Sequence, residues 1–524
     1  MEEEYSVDPA QLLEAATDLA HRPGSLSDSS AQEFLARFPL PAVISALQTS
    51  ADYPGLENAV VPCLERIFKT KHGASLIPHF MPVVLVGLGA DSQNVRHLAC
   101  VTVSCLLSES SDGRISVQLI RQYGVYPLLL SCLVDGDDQV AAASANAVKA
   151  LASYPEGIGI VFPESTNEAT HLENLAQKCS PLVRVRLLAL IVSLFSISSS
   201  VASEISKSNL LNLLEAEVRN TDDSLVILSV LELLSELAEV QHSAEFVSRT
   251  SLFQLLCSII SSEAAEMILR SRAMVIAGRL LSKENAFEFI DDSSFTSVLS
   301  AIDGKFEFLE SQDSDACECA LEALGQIGSS FHGATLLLLT SPPAARHVVD
   351  AAFDRQHHGK QLAALHALGN IAGETRLGSN IVLNNTAEEN LKRLIYEKAS
   401  NTAKLTPSGL LLSILQQDSE IRTAGYRLIT GLVARPWCLV ELISRSEIIS
   451  ILANAYTETK KIGMESRHRC CEAIYRAFSS SGTLSSDPGF ADIAGKLQEA
   501  IRRGPYLATK QSETQPVVMT ADRF

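Results

Sequence analysis

The residues best suited to chemistry in this chain are its cysteines, a histidine pair and one acidic turn. Eleven cysteines include Cys317 and Cys319, two residues apart, and the adjacent Cys470 and Cys471. A zinc site needs thiolates spaced to reach one ion and a second cluster to complete the shell. Neither pair has that spacing, and adjacent positions on a helix do not converge on one metal. The cysteines are expected as small buried residues in a reducing cytosol or nucleus. His357 and His358, in "DRQHHGKQLAALHALGN", and His468, two residues before Cys470, would need ligands from elsewhere in the chain. The turn "DGDDQ" (135–139) has closely spaced acids but lacks the rest of a calcium loop. It reads as a helix cap. The phosphate loop and the motifs G-x-G-x-x-G, G-x-S-x-G and H-E-x-x-H are missing from the sequence. The chain is expected not to be an enzyme, and to carry no cofactor and no metal.

What positions these residues is a run of helices. The 524 residues exceed one ordinary core, so several domains or one repetitive array are expected. Hydrophobic residues make up 46% but aromatics only 6%, which suits packed helices rich in Leu, Ala, Ser, Ile and Val. The net charge of -19 opposes nucleic acid and anionic lipid, both of which need a cationic surface. The start, "MEEEYSVDPAQLLEAATDLA", lacks the layout of a signal peptide. The longest apolar runs, "FMPVVLVGLGA" and "LLALIVSLFSIS", fall short of the ~20 residues of a membrane helix. A cytoplasmic protein is expected, with the nucleus as a second location.

The helices share one register. From a starting position, apolar or small residues recur at +3, +4, +7, +8 and +11, the stripe of a helix with one buried face. From Ile421 these are Ala424, Gly425, Leu428, Ile429 and Leu432; from Ala316 they are Cys319, Ala320, Ala323, Leu324 and Ile327. Ten starts fit: Leu56, Val95, Val140, Val183, Val226, Leu269, Ala316, Lys360, Ile421 and Ser466. Their separations are 39, 45, 43, 43, 43, 47, 44, 61 and 45 residues, a period that marks HEAT or armadillo repeats. Shorter apolar segments such as "GVYPLLLSCLV" and "SLFQLLCSII" precede these helices, and acidic or serine-rich turns between them are placed to cap the next helix. The expected fold is an all-α, armadillo/HEAT-type α-solenoid, a superhelix with almost no strand. Residues 1–50 are expected as an N-terminal helical cap, 51–503 as the solenoid and 504–524 as a flexible tail. The 61-residue separation implies an enlarged loop or an extra helix near 377–410, either a partner contact or a tolerated insertion.

In armadillo units the long helix lines the inner, concave face. Positions +6 and +10 lie off the buried stripe. Across the repeats they hold Glu232 and Glu236, Glu322 and Gln326, His366 and Asn370, then Arg427, then Glu472 and Arg476. These nine residues are the candidate partner-binding set, acidic in the middle and arginine-bearing toward the C-terminus. Armadillo importers of nuclear cargo carry Trp at +6 and Asn at +10. Here only Asn370 matches, and the single Trp437 is read as lying in a loop, so that role is disfavoured.

"ESQDSDACECALEALGQIGSSFHG" from Glu310, the "RPWC" of Arg435 to Cys438 and the closing "GPY" of Gly504 to Tyr506 resemble the proteasome base-assembly chaperone family, that of 26S proteasome non-ATPase regulatory subunit 5. The likeness covers most of the chain in repeat layout and is sharpest after Glu310. It implies a solenoid absent from the mature proteasome that binds the C-terminal domain of an AAA+ ATPase subunit of the regulatory particle base, with a base scaffold subunit as a further contact. Such a protein delays docking on the core particle and is expected as a monomer. The family's contact residues form no readable motif. Two rival readings share the repeats: a generic armadillo adaptor in signalling or trafficking, and a ubiquitin-ligase scaffold, which would need a RING-like cysteine pattern that the sequence lacks.

Overall fold

The register positions fall at a fixed place in the observed helices. In the computed structural model, which describes residues 8–48, 53–109, 113–163, 171–312, 314–482 and 490–506, the chain is all helix and turn, with no strand among those residues. The chain divides into two compact units, Met1–Ser251 and Leu252–Phe524.

In the first unit the long helices are α1 (Pro9–His21), α2 (Leu56–Phe68), α3 (Gln93–Ser108), α4 (Asp138–Ala152), α5 (Pro181–Phe195) and α6 (Ser224–Glu239). In the second, beside the 21-residue helix Asp292–Gln312 that precedes α8, they are α7 (Met267–Leu281), α8 (Ser314–Ile327), α9 (His358–Ala372), α10 (Asn385–Ser400), α11 (Ser419–Leu432), the short α12 (Pro436–Ile443), α13 (Lys461–Ser480) and α14 (Ala491–Arg502). From α3 to α11, leaving out the inserted α10, the register residue is the third residue of its helix every time. Each of these helices packs on its predecessor and successor within its unit, so both units are α-solenoids of armadillo/HEAT type. The segment read as a cap contributes α1, which stacks directly on α2.

Asp137 accepts a bond from Val140 N at 2.9 Å, and Asp223 one from Leu225 N at 2.9 Å. Asp418 accepts from Glu420 N and Ile421 N at 2.9 and 3.3 Å. These satisfy helix N–H groups that have no intrahelical partner. The turn before α7 differs: its N-cap is Glu266, whose side chain makes no cap bond. The longest apolar runs are core helices, and among the described residues no single helix is long and apolar enough to cross a membrane.

The segment 377–410, expected as an enlarged loop or extra helix, contains an extra helix, the 16-residue α10. Asn384 caps it, and Ala387, Leu391, Ile395 and Ala399 bury one i, i+4 stripe. It packs among the short helices: Asn390 donates to Leu338 O at 3.0 Å, and Lys398 reaches Asp350 at 3.0 Å. Trp437, read as a loop residue, is the second residue of α12, with its ring 5.7 Å from that of Tyr396. A proline at N1, which needs no N–H partner, lets a helix start where the sequence reads as a break. At the other end, Gly504 turns the chain out of α14 at positive φ, and the Tyr506 hydroxyl donates to Glu465. The start of the expected tail is therefore tied down; residues 507–524 lie outside the described residues.

Candidate functional site

The second unit brings the long helices unusually close, and that closeness orders the +6 and +10 columns. A Cβ on Gly278 of α7 would lie 2.8 Å from Ala323 Cα, and one on Gly325 of α8 only 2.6 Å from Ala367 Cα. Gly278, Gly325 and Gly369 all stand at +9 of the register, beside the +10 column. Backbones touch there, so side chains one position on meet across helices.

Seven of the nine candidate residues belong to this unit. Gln326 Nε2 donates to Glu322 Oε1 at 2.8 Å within α8. Asn370 Nδ2 reaches across from α9 to Gly325 O at 3.2 Å. From α11, Arg427 donates to His366 Nδ1 at 2.7 Å and to Glu374 Oε2 at 2.8 Å. On α13, Glu472 lies 3.7 Å from His468 Nδ1, and Arg476 is exposed. Glu232 and Glu236 stand exposed on α6 of the first unit. The column thus holds an internally bonded stretch from Glu322 to Arg427, rather than a row of separate solvated charges.

His366 accepts its bond as a neutral imidazole. Burial, with Arg427 second, pushes its pKa below the ordinary 6.5, and Glu374 only partly opposes this. Below about pH 6.5 the unfolded chain takes up a proton that folded His366 refuses, so stability falls as pH drops through that range. His366→Gln should show a shallower loss of thermal stability between pH 7.5 and 5.5 than the parent chain. An equal or steeper loss would place the titration elsewhere.

Where α9, α11 and α13 end, a cavity of about 740 Å³ opens, and Glu374, Glu472 and Arg476 line it. Two arginines that the columns do not include build its surroundings. Arg435, 2% exposed, makes a two-pronged ion pair with Glu388 of α10 at 2.6 and 2.8 Å. It also donates to Ala372 O and Gly431 O at 2.8 and 2.9 Å. Arg376 donates to Gly328 O, Asn370 O and Ile371 O at 2.8, 3.2 and 2.7 Å and to Asn380 O at 2.9 Å. Both guanidinium groups collect carbonyls left open at helix C-termini and tie them to the inserted segment. Sequence reading missed this pair. The available signal was an arginine three or four residues beyond the end of a long helix, the second of them inside "RPWC".

The remaining chemistry-bearing residues have structural roles. His358 Nε2 lies 3.2 Å from Asp418 Oδ2, linking the starts of α9 and α11. Cys470 and Cys471 are buried, and burial pushes the Cys471 thiol up to about 11. No group of three or more metal-ligating side chains converges among the described residues.

A family model described as "Proteasome non-ATPase 26S subunit" matches residues 43–520. The chain belongs to that family. Among curated proteins, 26S proteasome non-ATPase regulatory subunit 5 of Bos taurus is 19% identical over 460 residues, covering 87% of this chain and 86% of the relative. The Homo sapiens protein of the same name gives the same identity and coverage. Among solved structures, a designed armadillo repeat protein in complex with the peptide (KR)4 has 16% identity and a TM-score of 0.37, covering 50% of this chain and 99% of that one. The family match runs through both units, from the helix before α2 to beyond α14.

Proposed function

We propose that this member of the family is an assembly chaperone for the base of the 26S proteasome regulatory particle. The reading is carried by the family match across 43–520, which takes in every long helix from α2 onward. It binds an AAA+ ATPase subunit of the base along the +6 and +10 columns, with a base scaffold subunit as a further partner. It acts by occupying surface that the ATPase later needs for docking on the core particle, and it leaves before the proteasome is mature. In this reading the chain acts by binding alone and is not an enzyme. A monomer working in the cytoplasm, and in the nucleus, fits this role.

The acidic part of the columns supports attraction of a basic partner surface. Raising salt should slow association with a purified ATPase subunit, because screened charges steer less. Glu232→Lys, Glu236→Lys and Glu322→Lys together should weaken binding at least about tenfold. The same reversal at Glu14, Glu263 and Glu447, exposed acids elsewhere, should change it little. Equal losses from both sets, measured by surface plasmon resonance, would remove the columns as the binding face.

A further inference from the structure

The cavity at the ends of α9, α11 and α13 has a charge that runs against the rest of the chain. Acids outnumber lysines and arginines 61 to 42 overall. Around the cavity three arginines, Arg376, Arg469 and Arg476, face two glutamates. One glutamate is already paired, Glu374 with Arg427 at 2.8 Å, which leaves the three arginines and the single carboxylate of Glu472. Arg376 is buried, and carbonyl oxygens alone satisfy it; burial lowers its pKa only to about 10, so its charge remains at neutral pH. Arg469 and Arg476 are exposed and make no ion pair among the described residues. Cationic capacity is therefore left over in this cavity.

The spacing of the free arginines narrows the ligand. Seven residues apart on α13, they are separated by roughly 10 Å along the helix axis. Two carboxylates three residues apart on an extended segment of polyproline II type, with three residues per turn and a rise of about 3.1 Å each, share one face and span about the same distance. Between the arginines α13 carries Glu472 and Ala473, and the lining adds the apolar side chains of Val433 and Val440. Leu377, 86% exposed, and Val440, 51% exposed, leave aliphatic surface uncovered at this site. A volume of about 740 Å³ lies within the range of formed ligand pockets. Phosphate suits the place less well. The C-terminal ends of three helices meet there, and their partial negative charge disfavours a compact dianion more than two separated carboxylates, each beside its own guanidinium.

We propose that this cavity docks an acidic, extended segment of a partner protein, with aliphatic side chains lying between two carboxylates three residues apart. The site takes in the C-terminal end of the columns, Glu472 and Arg476, and is opposite in sign to their acidic part at Glu232, Glu236 and Glu322; it stands whether or not the partner of that acidic part is an ATPase. It gives the second unit a way to hold an acidic segment of one protein while Glu232, Glu236 and Glu322 meet a basic surface.

The test is fluorescence anisotropy with the full chain and a labelled octapeptide, Ser-Gly-Asp-Leu-Leu-Asp-Gly-Ser. Saturable binding is expected, and none for the counterpart with Lys in place of Asp. The double variant Arg469→Glu and Arg476→Glu should weaken binding at least about tenfold. Val440→Asp should weaken it as well, and Arg355→Glu, an exposed arginine away from the cavity, should leave it unchanged. Since all these side chains are exposed, circular dichroism should show an unaltered fold. Equal binding of the lysine peptide, a double reversal no weaker than Arg355→Glu, absence of saturable binding, or displacement of the peptide by millimolar inorganic phosphate would each overturn the proposal.

Discussion

Replacing Arg435 by Met should destabilise the second unit by about 3–5 kcal/mol, the cost of stranding one partner of a buried ion pair. For a unit of this size that is roughly 6–20 °C in Tm. The guanidinium is almost wholly buried and engages both oxygens of Glu388. Methionine fills much of the volume but supplies no donor. Ala372 O and Gly431 O lose theirs, and the Glu388 carboxylate keeps only the bond from Leu383 N at 2.7 Å. Adding Glu388→Gln should recover part of the loss, because the stranded charge goes. Arg355→Met, at an exposed position, should stay within about 0.5 kcal/mol. The measurement is thermal and urea unfolding with hydrogen exchange read at α9, α10 and α11. A loss below about 1 kcal/mol for Arg435→Met would mean that the hub does not hold these helices together.

Gly325→Ala should also destabilise, by about 1–3 kcal/mol, although alanine is the better helix former. The added methyl would meet Ala367 Cα at 2.6 Å and Cβ at 2.7 Å, so α8 and α9 must separate. Helix backbones cannot yield as the end of a long side chain does. Gly495→Ala is the matched contrast: it lies in α14, exposed, with nothing within 4 Å of its added Cβ. That change should stabilise by about 0.5–1 kcal/mol, from propensity alone. Two substitutions of identical chemistry thus have opposite signs in chemical denaturation. The same sign for both would show that the approach of α8 and α9 is loose enough to absorb a methyl.

The register was readable because each long helix repeats one packing task. Ile421 and Ala316 begin the same stripe for the same reason, and both stand third in their helices. Side chains off the stripe were equally readable as such, since Glu232, Glu236 and Glu322 are exposed as their positions require. Their pairings were not. Arg427 meets His366 across 61 residues only because α10 and its flanks are inserted between them while α9 and α11 still stack directly. The direct stacking depends on small residues whose column, +9, carries no charge in the second unit to attract notice, with glycine at 278, 325 and 369. The division after Ser251 was hidden for another reason. The registers on either side of it, Val226 and Leu269, keep the 43-residue rhythm, so no irregularity marks it. The helical nature of 385–400 is visible afterwards in Ala387, Leu391, Ile395 and Ala399, a stripe in i, i+4 steps with polar Asn390 and Lys398 at the +3 and +11 positions of the common register.

The most direct measurement mixes a purified ATPase subunit of the base, the core particle and this chain, each well above its dissociation constant. Native mass spectrometry or size-exclusion chromatography then reports which complexes form. A chain that works by covering surface should form a complex with the ATPase subunit without nucleotide hydrolysis of its own, and should exclude the core particle from it. Two binary complexes that displace each other as concentrations change are the predicted result. A ternary complex holding the ATPase subunit, the core particle and this chain together, with neither weakening the other, would contradict steric exclusion.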